Sequence, residues 1–533
     1  MVAAVPTTHR WPTTYSTGGM VCSVDHLASS AGAEILAAGG SAVDAAVATS
    51  AVLAVTTPHM CGMGGDLFAL VHEGSGPPEV LDASGRAGSG ADPARLRTEG
   101  HAVVPFQGDV RAATVPVCVD GWCELLERHG RLDRAAVLAP ALRLAEGGFP
   151  ASPMLSFMLH SLDGVEGCDE LAAVRPEVGE PIRRPDLART LAAVAEGGRA
   201  AFYGGDFGTA LLEVGGGEYA PDDLTHEAAR WVEPLGARVW GHDVWTVPPT
   251  SQGYLTLLAA LAVERLVGDD LPPVADPAWA HLLVEVVRRA GSDRPALLHE
   301  GADGSALVAE DRVAAVAAAF DPERHWPGTT VVREGGTIHL ATVDRHGMGV
   351  SLIQSNAAGF GCHLAVPGTG ILLHNRGIGF SLEEGHPAEY GPGRVPPHTL
   401  APALVTRPDG SLRAVLGTMG GDSQPQVVLQ LLARLLVAGA EAGEALDAPR
   451  FVVSSGSTER FDTWTAPRQV VRVEAHSPPD WAAGLTTRGH DVEVADIDPA
   501  GFGHAHVIEV RPDGVRAGAA DTRSMTGAAV PVP

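Results

Sequence analysis

Thr337 follows a pair of glycines, Gly335-Gly336. It begins a run that continues to Val343, turns at Arg345-His346-Gly347 and returns from Gly349 to Ser355. A three-residue turn with glycine where φ must be positive closes such a hairpin. Counting outward from the turn, Asp344 faces Met348 and Thr337 faces Ser355, so two hydroxyls meet at the open end. The glycines leave the carbonyl before Thr337 open to attack. This layout suits self-cleavage of the Gly336–Thr337 bond: the Thr337 hydroxyl attacks the preceding carbonyl, the peptide shifts to an ester, and water releases it. The freed α-amine of Thr337 then becomes its own general base. An ordinary edge hairpin with two surface hydroxyls fits the same spacing.

A second stretch, Leu416-Gly417-Thr418-Met419-Gly420-Gly421-Asp422-Ser423-Gln424, reads as a strand, a glycine turn and a helix start. Gly420 and Gly421 can present bare amide N–H groups to a negative oxygen. A tight strand-to-helix turn without chemistry is the alternative. Asp422 either orients the freed amine of Thr337 or caps the helix. His339 lies on the same strand face as Thr337, as a neighbour of the site or as packing.

The elements that must position these residues follow from periodicity and breakers. Two helices are predicted over Val24–Ala38 and Ser41–Val55, with Ser41 as cap and Asp44 at the positive end of the second. The glycine-rich turn Gly62-Met63-Gly64-Gly65-Asp66 leads into a buried strand, Leu67–Val71, and a second strand spans Glu79–Ala83. Helical periodicity fills 116–150, and helices are predicted over 253–267, 276–291 and 424–438. A short strand covers Asp243–Val247. The stretch 292–336 is polar and punctuated by Gly and Pro. Beyond Thr337 strands dominate. The order points to a layered α/β protein.

Composition narrows the function. The chain has 533 residues, 45% of them hydrophobic, enough for a large core. Its 37 basic against 64 acidic residues give a net charge of −27, which disfavours nucleic acid and anionic membranes as partners. All the basic residues are arginine. Without lysine there is no Schiff-base chemistry, no lysine-anchored pyridoxal phosphate and no Walker A loop. Six cysteines are too sparse for a disulfide scaffold, and the 22 histidines show no metal-ligand spacing. The N-terminus lacks a basic segment followed by a long apolar run, so a cytoplasmic protein is expected.

Together these motifs resemble the gamma-glutamyltranspeptidase family, whose members are N-terminal-threonine hydrolases. The likeness runs through Gly39–Ala48, Pro58-His59 with Gly62–Asp66, Leu81-Asp82, Val115–Val117 with Asp120-Gly121, Ala201–Gly205, Pro248–Gly253 and the two stretches above, in the same order along the chain. It implies a four-layer αββα fold of the N-terminal nucleophile hydrolase type. It implies cleavage before Thr337 into a helix-rich large subunit, 1–336, and a small subunit, 337–533, forming one integrated unit. It implies an acyl-threonine intermediate resolved by water or an amine, with no metal or organic cofactor. Thr337 matches the nucleophile, Ser355 the hydroxyl beside it, Gly420 and Gly421 the oxyanion hole, and Asn375 the pocket lining.

The departures fall on substrate-binding positions. Ser84 stands where glutathione-cleaving members carry an arginine, and Arg86 is displaced from it. Ala357 and Gly379 replace an asparagine and an aspartate that hold the substrate's amine, and Arg376 stands where an amide or acid is usual. His398-Thr399 replace a pair of serines. The resemblance therefore implies a pocket of reversed charge, in which Arg86, Asn375, Arg376, His398, Thr399 and Asp422 bind a small or doubly anionic acyl group without an amine. It is similar to members acting as oxamate-type amidohydrolases, acylases or natural-product tailoring enzymes. A true glutathione hydrolase with a rebuilt pocket is the second reading, and a scaffold without turnover the third.

Overall fold

The structure, a computed structural model, describes residues 13–327, 336–454, 469–495 and 501–533. Gly335 and residues 1–12, on which the di-glycine and export readings fall, lie outside them. The two N-terminal helices form at His26–Ala37 (α1) and Ala42–Thr56 (α2). The Ser41 hydroxyl accepts the Asp44 amide at 3.1 Å, and Asp44 Oδ2 accepts the Ser41 amide at 2.8 Å. This reciprocal cap satisfies amides that a helix start leaves open. All of α2 is buried, as expected of a helix apolar on every side. Further helices span Cys118–His129 (α3), Arg134–Gly147 (α4), Pro185–Tyr203 (α5), Tyr254–Val267 (α6), Pro277–Gly291 (α7), Gln424–Leu432 (α8) and Pro479–Thr487 (α9). The polar stretch before Thr337 still forms short helices, among them Glu310–Ala318, which buries Val313, Val316 and Ala317 and packs on α6.

Among the described residues, fourteen strands make two seven-stranded sheets. In chain order they are β1 (Thr14–Ser16), β2 (Gly19–Ser23), β3 (Asp66–His72), β4 (Glu79–Ala83), β5 (Arg230–Val232), β6 (Leu235–Val239), β7 (His242–Thr246), β8 (Gly336–Val343), β9 (Gly349–Ala357), β10 (Ala403–Thr406), β11 (Leu412–Thr418), β12 (Ala505–Val510), β13 (Arg516–Ala520) and β14 (Ala528–Val532). One sheet runs β14–β2–β8–β9–β3–β4–β5 and the other β1–β13–β12–β11–β10–β7–β6, antiparallel throughout.

Three apolar clusters mark the interfaces between four layers. α1 to α5 cover the outer face of the first sheet, and α6 to α9 that of the second. A smaller cluster from Met20, Phe68, Ala341, Ile353, Leu404 and Val415 joins the two sheets. Strand alternation assigns the faces: Ile338 and Leu340 of β8 join the helix-side core, whereas Ala341 and Val343 join the inter-sheet core. Thr337 and His339 share the inter-sheet face, and the site is built there.

Candidate active site

The β8–β9 hairpin pairs as its turn requires. Thr337 lies opposite Ser355 and Val343 opposite Gly349, with Gly347 at φ 91° in the turn. The register shifts between Gly336 and Thr337, at the bond proposed for cleavage. On the far side of β9, Ser355 pairs with Asp66 of β3. Thr337, Ser355 and Asp66 thus form one row across three neighbouring strands, all three fully buried. The glycine turn before Asp66 is a matter of close approach: a Cβ on Gly65 would meet the Ser355 carbonyl oxygen at 2.3 Å, and one on Gly64 the Leu372 carbonyl oxygen at 2.2 Å.

Ser355 Oγ is the hub of the row. It lies 2.8 Å from Thr337 Oγ1 and 2.9 Å from the Gly336 carbonyl oxygen. It accepts the Ala357 amide at 2.8 Å and Arg376 Nη2 at 2.8 Å. Arg376 also donates from Nε to Asp66 Oδ2 at 2.8 Å and from Nη1 to Thr399 Oγ1 at 3.1 Å. Two histidines complete the cluster. His374 Nδ1 lies 3.5 Å and His398 Nε2 3.8 Å from Asp66 Oδ2. Burial alone would raise the Asp66 carboxyl, but the Arg376 guanidinium outweighs it and holds the group well below the ordinary carboxylate range. Burial, and then Arg376, push His398 well below its usual value, so its imidazole is neutral. The pocket is therefore not simply reversed in charge. Arg376 is matched by Asp66, a carboxylate that the motif comparison left without a role.

The second stretch forms the turn predicted from its glycines. β11 ends at Thr418, Gly420 and Gly421 adopt φ of 130° and 56°, and α8 follows. Among the described residues no acceptor meets the amide hydrogens of Gly420 or Gly421. Gln252 ties this turn to the site: its Nε2 donates to the Thr399 carbonyl at 2.8 Å and to the Gly421 carbonyl at 3.0 Å. Asp422 is buried with Arg294 Nη2 at 3.7 Å, and no side chain caps either the turn or α8. The cap positions of the turn and of α8 are held by Gly420 and Ser423, not by Asp422.

Two other expected residues have different surroundings. Asn375 braces the chain beyond β9, accepting the Ala358 amide at 2.9 Å and donating to the Phe106 carbonyl at 3.0 Å. Arg86 is half-exposed, donates to the Gly393 carbonyl at 2.7 Å and lies 3.7 Å from Glu300; no described contact joins it to the Thr337 row. His339 contacts Ser351 Oγ at 3.0 Å and stacks on His506, which accounts for it as packing between the sheets. Asp66, His374 and Gln252 are the residues that sequence spacing missed. No group of His, Cys, Asp and Glu suited to a metal ion occurs among the described residues.

Two facing sheets between helical layers, with a threonine at the head of an inner strand, define the N-terminal nucleophile hydrolase class. Within that class, the sequence pattern of gamma-glutamyltranspeptidase matches residues 28–531, and the chain belongs to this family of self-processing amidohydrolases and acyltransferases. It is 35% identical to the oxamate amidohydrolase proenzyme of Klebsiella pneumoniae, over 96% of this chain and 98% of that one. It is equally 35% identical to the glutathione hydrolase-like YwrD proenzyme of Bacillus subtilis, with the same coverage. The crystal structure of cephalosporin acylase from Bacillus halodurans superposes with a TM-score of 0.88 at 32% identity, covering 100% of both chains. No described helix is long and apolar enough to cross a membrane.

Proposed function

We propose that the chain cuts itself between Gly336 and Thr337, and that the resulting two-subunit enzyme hydrolyses small amides whose acyl group bears a carboxylate. The Thr337–Ser355 hydroxyl pair, 2.8 Å apart with the Gly336 carbonyl oxygen 2.9 Å from Ser355, carries this reading. Thr337 Oγ1 attacks the substrate carbonyl while the freed α-amine takes its proton. The open amides of Gly420 and Gly421 hold the oxyanion, and the amine of the substrate leaves. Water then hydrolyses the acyl-threonine, or an amine accepts the acyl group. Asn375, His398, Thr399 and Asp422 belong to the surroundings of the acyl group in this proposal, and a cytoplasmic site of action belongs to it too. The name of the Klebsiella relative supports a compact substrate of the oxamate type.

One observation favours a second reading, hydrolysis of γ-glutamyl amides. Asp66 Oδ1 is buried without a hydrogen-bond partner, which suits an incoming ammonium. With the hydroxyl pair and open amides intact, a scaffold without turnover finds no support. A panel of N-acyl amides with and without a free α-amine separates the first two. Ammonia released from oxamate, with γ-glutamyl anilide left intact, is the expected result; the opposite pattern installs the second reading.

A further inference from the structure

Ser355 Oγ has four polar neighbours, and a hydroxyl can accept two hydrogen bonds and donate one. Two of the four are donors only: the Ala357 amide at 2.8 Å and Arg376 Nη2 at 2.8 Å. They occupy both lone pairs. The Ser355 proton must then point at the Gly336 carbonyl oxygen, 2.9 Å away, or at Thr337 Oγ1, 2.8 Å away. Ser355 has no lone pair left to take a proton from Thr337.

We infer that Asp66 and Arg376 are positioning residues that aim the Ser355 proton, and that this proton serves two oxygens in turn. The inference rests on the self-cleaving reading above and deepens it. In the uncut chain Ser355 donates to the Gly336 carbonyl oxygen as Thr337 Oγ1 bonds to the Gly336 carbon. The Thr337 proton passes through water to the departing amide nitrogen, and the carbon–nitrogen bond breaks. A second water hydrolyses the ester, returning the hydroxyl to Thr337 and leaving a carboxylate on Gly336. With Gly336 gone, the Ser355 proton turns to Thr337 Oγ1. The guanidinium strengthens this donor in both steps, as charge does for any hydrogen bond. Asp66 holds the guanidinium in register and offsets its burial. Arg376 thus acts on Ser355 through its Nη2 contact, held in place by its bonds to Asp66 and Thr399, rather than as a clamp for a substrate carboxylate.

Self-cleavage involves no substrate, so it separates the two roles. In purified precursor of Arg376→Met, followed by intact mass against time, cleavage is expected to slow by about 10-fold or more. Asp66→Asn should slow it less. Once cut, Arg376→Met should show lower kcat with KM nearly unchanged. Thr399→Val keeps the buried ion pair and serves if Arg376→Met does not fold; it is expected to slow cleavage by roughly 2–5-fold. Adding Arg376→Met or Thr399→Val to Ser355→Ala should cost little more than Ser355→Ala alone. Cleavage of Arg376→Met or Thr399→Val at the parental rate, or a raised KM for anionic substrates alone, overturns the inference. A Thr337→Ala chain that is still cut overturns the underlying reading instead.

Discussion

Thr337 and Ser355 show what hairpin arithmetic can deliver: their pairing depends only on the turn and the period of two. Replacing Thr337 by Ala should leave one uncut 55.0 kDa chain, and Thr337→Ser should still cut; intact mass decides both. Asp66 was not legible in the same way. It ends the Gly62–Asp66 glycine motif, but its place beside Ser355 depends on β3 pairing with β9, and nothing local encodes which distant strand becomes the neighbour. Arg376 was legible as an unusual residue at its position, yet without Asp66 its charge looked uncompensated. Arg86 makes the complementary case, since a displaced arginine could not be placed by alignment. Tied to Gly393 and Glu300, it should tolerate Arg86→Ala with self-cleavage unchanged and KM for an anionic amide raised less than about 3-fold, as expected of an exposed pair. A larger rise in KM measured by steady-state kinetics would return Arg86 to the substrate.

Most helices and the strands β3 and β4 were legible because each has a local cause: apolar period, cap or glycine stop. The Ser41–Asp44 box is the sharpest instance. Ser41→Ala should cost about 1–2 kcal/mol of stability, read from denaturant unfolding. What periodicity could not show is the polar lining between the sheets. His339 and His506 stack at 5.5 Å, Nδ1 to Nδ1 3.3 Å, where an apolar inter-sheet core would be expected. Burial, with each ring opposed by a neighbouring histidine, pushes His506 down to about 3 and His339 well below its usual value. In the unfolded chain both titrate near 6.5, so between that pH and about 3 the unfolded state binds protons that the folded state refuses. Their contribution is complete above pH 6.5 and is lost as the pH falls. The melting temperature should therefore drop from pH 7 to pH 5, and His506→Gln should flatten that slope. An unchanged slope in the variant would show that the pair carries none of the acid sensitivity.

Across the whole molecule, the proposed cut divides the sequence without dividing the fold. Residues before Thr337 supply β1 to β7, and those from Thr337 onward supply β8, past its first residue, to β14. In the first sheet β2 of the leading part lies between β14 and β8 of the trailing part, and β9 pairs with β3; in the second sheet β1 pairs with β13 and β7 with β10. The leading part is also fastened near its end: His325 N–H donates to the Arg488 carbonyl at 2.8 Å, and Arg488 Nε to the Pro322 carbonyl at 2.9 Å. Separating the parts would strip hydrogen bonds from inner strands of both sheets, so the subunits should stay together in native buffer and part only on unfolding. Unfolding then becomes dissociation, and mass action makes its midpoint rise with protein concentration. The uncut Thr337→Ala chain has the same contacts but one backbone, and its midpoint should not depend on concentration. Melting curves for both proteins over a hundredfold concentration range test this. Two midpoints that are equally flat would mean that the parent protein is not cut at all.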